Sequence, residues 1–422
     1  MNVLWFSNTP ALGEHFLNKN FKIKGTGGWM QALNQGLKNK IDLSVVFHYP
    51  YSIRPFYFND THYYPVFTGN IILQNLKKRI LPFERGDKYI DQYLKIIKEV
   101  KPDIIHIHGT ENSYLSIIDI VDIPIVVSIQ GNLTIYNHKY LSGFHGKYLN
   151  YKEHLSSIKG ILLGRNSFIK EYKLMGKRAI NEQKRMISIP NIIGRTDWDY
   201  RISRILAPCS NYFKAEELLR EGFYKNQWNN PYRKGKVILF TTNGDNYYKG
   251  FETAVHALTL LQSIGIDIEW RIAGVSESNL INKITKKHLK DFYPKSGLKL
   301  MGPLPEEILI NNMLNAHIYV MPSHIENSPN NLCEAMILGM PCVATFAGGT
   351  GSILKDGEDG ILIQDGDPWV MAGAIIELIN SPEKSLFYSN AARMKALKRH
   401  DVSNTVNQYL ATYSKIIEDW KQ

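Results

Sequence analysis

Glu326 and Glu334 stand eight positions apart in the run Met321-Pro322-Ser323-His324-Ile325-Glu326-Asn327-Ser328-Pro329-Asn330-Asn331-Leu332-Cys333-Glu334. The first falls in a loop after an apolar run that reads as a strand. The second falls inside a helix opened by Pro329 and Asn330. An ionised carboxylate only accepts hydrogen bonds, so the pair suits the hydroxyls of a sugar and of a ribose. Asn327 and Ser328 add short polar groups to the same loop. Ten residues after Glu334 begins Ala344-Thr345-Phe346-Ala347-Gly348-Gly349-Thr350-Gly351-Ser352, a glycine-rich turn between a strand and a short helix. Glycines let the backbone N–H groups of Gly348, Gly349 and Thr350 approach a diphosphate, and a helix start favours its charge. Taken singly, each feature has an ordinary reading. Two glutamates at this spacing arise incidentally, a Gly-Gly pair is most often a plain turn, and Lys249 in Tyr248-Lys249-Gly250 is a surface lysine at a helix start.

The elements that must position these residues alternate short β-branched runs with amphipathic helices, the pattern of parallel α/β sheets. In the first half the expected strands are Val3–Ser7, Leu43–Phe47, Ile104–Ile107, Ile125–Ile129, Ile161–Leu163 and Met186–Ile189. In the second half they are Val237–Thr241, Ile268–Ala273, Leu298–Met301, Ile318–Met321, Cys342–Ala344 and Ile361–Ile363. Helices over Lys249–Ile264, Pro305–Asn315 and Asn330–Leu338 lie between the latter. A chain of 422 residues exceeds one ordinary core, so two domains are expected. The polar, aromatic stretch 226–235 places their boundary, giving residues 1–228 and 229–401. Residues 402–422 read as a helix with Tyr409, Tyr413, Ile416, Ile417 and Trp420 near helical spacing, packing back toward the first domain.

Together the second-half segments resemble the donor-binding region of glycosyltransferase family 4. The features that carry the resemblance are Glu326-x7-Glu334, Ala335-Met336, Gly339-Met340-Pro341, Gly348-Gly349 and Asp356-Gly357-x-x-Gly360. The resemblance covers most of the second half and runs more loosely through the first. It implies the GT-B architecture, two Rossmann-like α/β/α domains facing across a cleft. It further implies that Glu326 contacts the donor sugar, that Glu334 holds the ribose and that Gly348, Gly349 and Thr350 face the diphosphate. Lys249 would neutralise the leaving diphosphate, while Gly274 and Leu304 would line the nucleobase pocket. In the first half, Gly27 and Gly28 of Lys24-Gly25-Thr26-Gly27-Gly28-Trp29 would form the glycine-rich loop that meets donor phosphates and acceptor. His106 reads as a core histidine, and His108, nearer the strand's end, as the one that reaches the cleft.

The sequence departs from the family at three positions. Gln130 stands where a histidine is common and cannot titrate, so it would bind sugar rather than move a proton. Gly244 stands where an arginine usually completes the diphosphate clamp, and Ser352 where a glutamate often follows the Gly-Gly pair. Arg195 and Asp197, in Asn191-Ile192-Ile193-Gly194-Arg195-Thr196-Asp197, are expected in the interdomain cleft as acceptor contacts, with a structural salt bridge as the equal alternative.

Composition bounds the setting. Three cysteines, Cys209, Cys333 and Cys342, are too few and scattered for a disulfide framework or zinc site, so a reducing, cytoplasmic setting is expected. No signal peptide or membrane span is read. The formal charge is +11, and residues 138–204 hold fourteen Lys/Arg against five Asp/Glu. That excess suits an anionic membrane face or a lipid-diphosphate acceptor, or merely a solvated surface; nucleic acid lacks any accompanying motif. The expectation is a retaining transferase that moves a hexosyl-type sugar from a nucleoside-diphosphate sugar to a growing glycan. The acceptor would be a lipid-linked one at the inner face of the cytoplasmic membrane, with no cofactor and no essential metal. A nucleotide-sugar 2-epimerase and a non-catalytic sugar-nucleotide-binding subunit are the alternatives.

Overall fold

A computed structural model describes residues 1–17, 27–69, 86–144, 168–229 and 235–422. The sequence-predicted strand Ile161–Leu163, part of the glycine-rich loop at Lys24–Thr26, much of the basic segment and residues 230–234 of the linker lie outside them.

The first sheet contains β1 (Asn2–Ser7), β2 (Asp42–Tyr49), β3 (Phe56–Phe58), β4 (Thr61–Phe67), β5 (Ile104–His108), β6 (Ile125–Ser128), β7 (Asn191–Gly194) and β8 (Asn211–Lys214), in the order β3-β4-β2-β1-β5-β6-β7-β8. Every pairing is parallel except β3 with β4. The second sheet contains β9 (Val237–Thr242), β10 (Ile268–Ala273), β11 (Leu298–Gly302), β12 (Ile318–Met321), β13 (Cys342–Thr345) and β14 (Ile361–Ile363), ordered β11-β10-β9-β12-β13-β14 and parallel throughout. Strands such as Val3-Leu4-Trp5-Phe6 are apolar without alternation because helices cover both faces of such a sheet. In each sheet the strand order reverses once, between β1 and β5 in the first and between β9 and β12 in the second. Open α/β sheets bind ligands at the carboxyl ends of the strands flanking such a reversal.

Two elements differ from the sequence reading. The strand expected at Met186–Ile189 is instead the end of the helix Phe168–Met186 and a turn, and the strand begins after Pro190, at Asn191. Met186 and Ile189 are buried but serve as packing anchors; Pro190 lacks the N–H that a central strand donates. The strands β3 and β4 went unread because Pro65 breaks the aromatic run. It is tolerated because β3 pairs only with Thr61–Tyr63, leaving the β4 edge unpaired at residue 65.

Two features tie the halves together. The helix Leu133–Lys139 of the first half places Tyr136, with Tyr140 and Phe144 just beyond it, in one apolar cluster with Tyr247, Phe251 and Val255 of the second. The helix Val402–Lys421 returns to the first half, burying Val406, Tyr409, Tyr413 and Ile416 against Trp5, Met30 and Val45. Tyr413 Oη accepts from Trp5 Nε1 at 3.2 Å and meets His106 Nδ1 at 2.7 Å. Chain entry into the second core precedes β9: Trp228 is buried there and donates from Nε1 to the Ala316 carbonyl at 2.7 Å.

Candidate active site

The loops leaving β9 and β12 carry Lys249 and Glu326, and they are locked to each other. The amide of His324 donates to the Tyr248 carbonyl at 2.8 Å. Gly250 has φ +68°, and a Cβ there would fall 1.8 Å from the Pro322 carbonyl oxygen, so only glycine allows this approach. Three residues beyond Lys249, Glu252 opens the helix Phe251–Ser263 and meets His324 Nε2 at 2.6 Å. His324 Nδ1 lies 3.5 Å from Asp365, which Lys139 of the first half approaches at 3.4 Å. Burial would lower the His324 pKa, but Glu252 and Asp365 outweigh it and raise it to about 9. The buried imidazolium–carboxylate pair thus pins the loops that carry Lys249 and Glu326.

So placed, Lys249 Nζ donates to Glu326 Oε1 at 2.6 Å, and Ser323 Oγ donates to the same oxygen at 2.7 Å. Burial disfavours the Lys249 ammonium, yet Glu326 and Tyr248 hold its pKa above the ordinary value. The pair lines a cavity of about 440 Å³ with Tyr248, Ser328, Asn330 and Asn331 from the second half. The opposite wall, from the first half, is Glu111, Gln130, Gly131, Leu133 and Tyr136. Glu111 follows β5 as Glu326 follows β12, so each sheet delivers a carboxylate from beside its own reversal. Burial pushes the Glu111 carboxyl up. Sequence reading missed Glu111; its signal was its place three residues after a strand ending in His108. It also missed Glu252 and His324, which flank the two noted residues without any motif.

The expected site residues separate into two groups. Lys249, Glu326, Gln130 and Ser328 converge on the cavity. Gly27 has φ +92° and caps the helix Gly28–Leu37, and a Cβ on Gly28 would lie 2.5 Å from Arg220 Cγ. Glu334 is held by Arg220 through two 2.7 Å contacts, Nε to Oε1 and Nη2 to Oε2; Arg220 was not read from the sequence. Gly274 has φ +90°, its amide donates to the Gly302 carbonyl at 2.7 Å, and Leu304 packs half-buried nearby.

Several expectations are corrected. His108 is sealed beneath the cleft wall, 2% exposed, with its ring 3.7 Å from that of His106 and beside Trp5 and Trp29. Burial drives its pKa well below the usual value. Arg195 does not face the cleft: it pairs with buried Glu217 and donates to the Ile129 carbonyl at 2.5 Å. This is the structural salt bridge of the alternative reading. Asp197 does lie between the halves, but away from the Lys249–Glu326 cavity: it is exposed, its amide donates to Ser352 Oγ at 3.1 Å, and it borders a second, mostly apolar groove with Trp198 and Ile205 of the first half and Phe346 of the second. Asn327 spans the domains instead of reaching into the cavity, donating to the Ile129 carbonyl at 3.1 Å and accepting from Thr196 at 3.1 Å. The Gly349 amide donates to the Glu326 carbonyl at 2.9 Å and that of Thr350 to Ala347 at 3.2 Å, so neither is presented to a diphosphate. Gly348, with φ +57°, backs onto Glu326, where a Cβ would lie 2.0 Å from its carbonyl oxygen. The turn therefore positions Glu326 from behind.

Two Asp-x-Asp triplets have the form of a metal motif, Asp197-Trp198-Asp199 and Asp365-Gly366-Asp367. Asp199 caps its own helix, Asp367 caps the helix Pro368–Asn380, and Asp365 serves His324. Among the described residues no group of three or more His, Cys, Asp or Glu is arranged to hold a metal ion. None of their helices is long and apolar enough to cross a membrane.

Residues 224–395 match the family model described as Glycosyl transferases group 1. Among curated proteins, the chain is 25% identical over 185 residues to a phosphatidyl-myo-inositol mannosyltransferase of Mycobacterium leprae, covering 44% of this chain and 48% of that one. It is 27% identical over 137 residues to a putative colanic acid biosynthesis glycosyltransferase of Salmonella typhimurium, covering 31% and 32%. The alignments to these two relatives therefore span about half of their length or less. Solved structures match over nearly the whole chain. A sucrose-phosphate synthase from Thermosynechococcus elongatus gives a TM-score of 0.73 at 12% identity, covering 99% of both chains. HepE of Anabaena in complex with UDP-glucose gives 0.63 at 14% identity, covering 98% and 99%. The fold is GT-B, two Rossmann-like domains facing across a cleft.

Proposed function

We propose that the chain is a glycosyltransferase that moves a hexosyl-type sugar from a nucleoside-diphosphate sugar to a hydroxyl of a growing glycan. The observation that carries this reading is the convergence of Lys249 and Glu326, 2.6 Å apart, with Gln130 and Glu111 across one interdomain cavity. Both strand reversals open onto that cavity, and the second-half residues fall within the stretch that matches the group 1 model. The names of relatives in colanic acid and amylovoran biosynthesis support a polysaccharide acceptor.

In this reading the sugar hydroxyls donate to Glu326, whose second oxygen remains available while Lys249 and Ser323 hold the first. The Lys249 ammonium, fixed before substrate arrives, stabilises the charge that grows on the leaving diphosphate. Gln130 offers both a donor and an acceptor to the sugar. The diphosphate oxygens would take the acceptor proton on the same face, so the anomeric configuration is retained and no metal is needed. Loss of activity on chelation, or an inverted product by NMR, would contradict those two points. The basic segment favours a lipid-linked acceptor at an anionic membrane face; failure to bind anionic vesicles would remove that part.

The deciding test is a panel of sugar nucleotides scored by thermal shift and by nucleoside-diphosphate release, for wild type and Glu326→Ala. A ligand-specific shift with release that the substitution abolishes is expected. Binding without release in the presence of lipid-linked and glycan acceptors would refute the transferase reading.

A further inference from the structure

The cavity is short of positive charge for the ligand it is assigned. Its walls carry two carboxylates, Glu111 and Glu326, and one cation, Lys249, already paired with Glu326. A leaving nucleoside diphosphate brings at least two negative charges, and buried charge without a partner is strongly disfavoured. Three nearby cations are engaged elsewhere: Arg195 with buried Glu217, Lys139 with Asp365, and Arg178, on the outer side of Glu111, with the Glu111 carbonyl at 3.3 Å.

Arg220 is differently placed. It belongs to the chain leaving the first sheet, yet its guanidinium lies on the second domain, gripping both oxygens of Glu334 at 2.7 Å. Glu306 stands 3.9 Å away, the Phe223 ring 4.7 Å away, and a quarter of the side chain (26%) remains exposed. Its stem lies against the glycine loop, where a Cβ on Gly28 would come within 2.5 Å. Glu334 follows Asn330 and Asn331, two cavity-lining residues, by four and three positions on the same helix. Their side chains are therefore neighbours on one helix face, about 5–6 Å apart at Cβ. The guanidinium thus sits between the first-domain glycine loop and the second-domain helix, a turn from the cavity. Its planar fork fits a carboxylate and a phosphate equally well.

We propose that Arg220 is the second cation of the donor site, parked on Glu334 when the site is empty and transferred to the diphosphate when a nucleotide binds. Each Glu334 oxygen already accepts from Arg220, so ribose hydroxyls that donate to Glu334 compete with the guanidinium for it. Displacement frees a guanidinium beside the cavity that holds Lys249. Nucleoside recognition and phosphate recognition become one linked event across the domain seam. This inference rests on the donor reading above.

The test compares matched nucleosides and nucleoside diphosphates (uridine and UDP, guanosine and GDP, adenosine and ADP) by calorimetric titration of wild type, Arg220→Gln and Arg220→Lys. For the pair that wild type binds, Arg220→Gln is expected to bind the nucleoside at least as tightly, because Glu334 is released. It should bind the diphosphate about 10-fold or more weakly, the size of one charge-assisted contact. The advantage of diphosphate over nucleoside therefore collapses, and Arg220→Lys, which keeps the charge, restores part of it. If that advantage is the same in wild type and Arg220→Gln, Arg220 is a bar or a strut only, and the assignment is overturned. If wild type binds none of the diphosphates, the donor reading falls and takes this assignment with it.

Discussion

The buried pair that pins the loops of Lys249 and Glu326 makes a prediction about pH. Replacing Glu252 by Gln removes the carboxylate 2.6 Å from His324 Nε2 while keeping the shape of the side chain. In the wild type His324 is raised from 6.5 to about 9 by Glu252 and Asp365 against the cost of burial. A histidine raised on folding contributes stability that is fully present below its unfolded pKa and is lost as pH rises through its folded pKa. At about 1.4 kcal/mol per pH unit, the rise is worth roughly 3 kcal/mol at pH 6, somewhat less at pH 7 and almost nothing by pH 9.5. His324 is only 1% exposed, so solvent screening removes little of this. Between pH 7 and 9.5 the wild type should lose roughly 3–6 °C of thermal midpoint that Glu252→Gln does not lose, the smaller figure if the whole chain melts together and the larger if the second domain melts alone. Other groups titrate in this window as well, so the measured quantity is the gap between wild type and variant at each pH. A gap of the same size at pH 7 and pH 9.5 would refute the argument that this pair is charged and holds the loops.

Two further outcomes follow from the packing. Gly348→Ala places a Cβ 2.0 Å from the Glu326 carbonyl oxygen in a backbone with φ +57°. A strain of roughly 1–2 kcal/mol and a displaced Glu326 should lower nucleoside-diphosphate release at least about 10-fold with secondary structure intact, and wild-type turnover would count against the positioning role. Arg195→Met strands Glu217, 2% exposed, without its partner and should cost about 3–5 kcal/mol in urea unfolding; Arg195→Met with Glu217→Leu should recover most of it, and no recovery would show that the ion pair is not the cause.

The strands that carry the site were legible because parallel, doubly covered strands announce themselves as short apolar runs. Ile268–Ala273, Ile318–Met321 and Ile361–Ile363 coincide with the observed elements. Lys249 and Glu326 were legible because their neighbours repeat a known pattern, and the structure brings their side chains together. What the pattern left out is the partner of each residue. Glu334 reads as a free carboxylate until Arg220, 114 positions earlier, is seen on it. Arg195 reads as a cleft residue because a lone arginine after a strand carries no sign of Glu217, which reaches it from the segment that follows β8. Amides at Gly349 and Thr350 look available in sequence because hydrogen bonds to Glu326 and Ala347 are properties of the turn, not of composition. Pairings between distant polar groups depend on register and packing, and those were not encoded in local spacing.

The return of the helix Val402–Lys421 to the first domain has a consequence in time. Trp5 and Tyr413, whose side chains share a hydrogen bond, are 408 positions apart. At about 5–20 residues per second, synthesis separates them by roughly 20–80 s. Through that interval β1 and β5 lack the aromatic cover that Tyr409 and Tyr413 supply, and His106 lacks one of its two hydrogen-bond partners. The second domain, whose sheet draws on residues 237–363, can close its strands while the first still waits. The domain that leaves the ribosome first is therefore finished last, and its exposed sheet is the surface on which chaperones would be expected to linger.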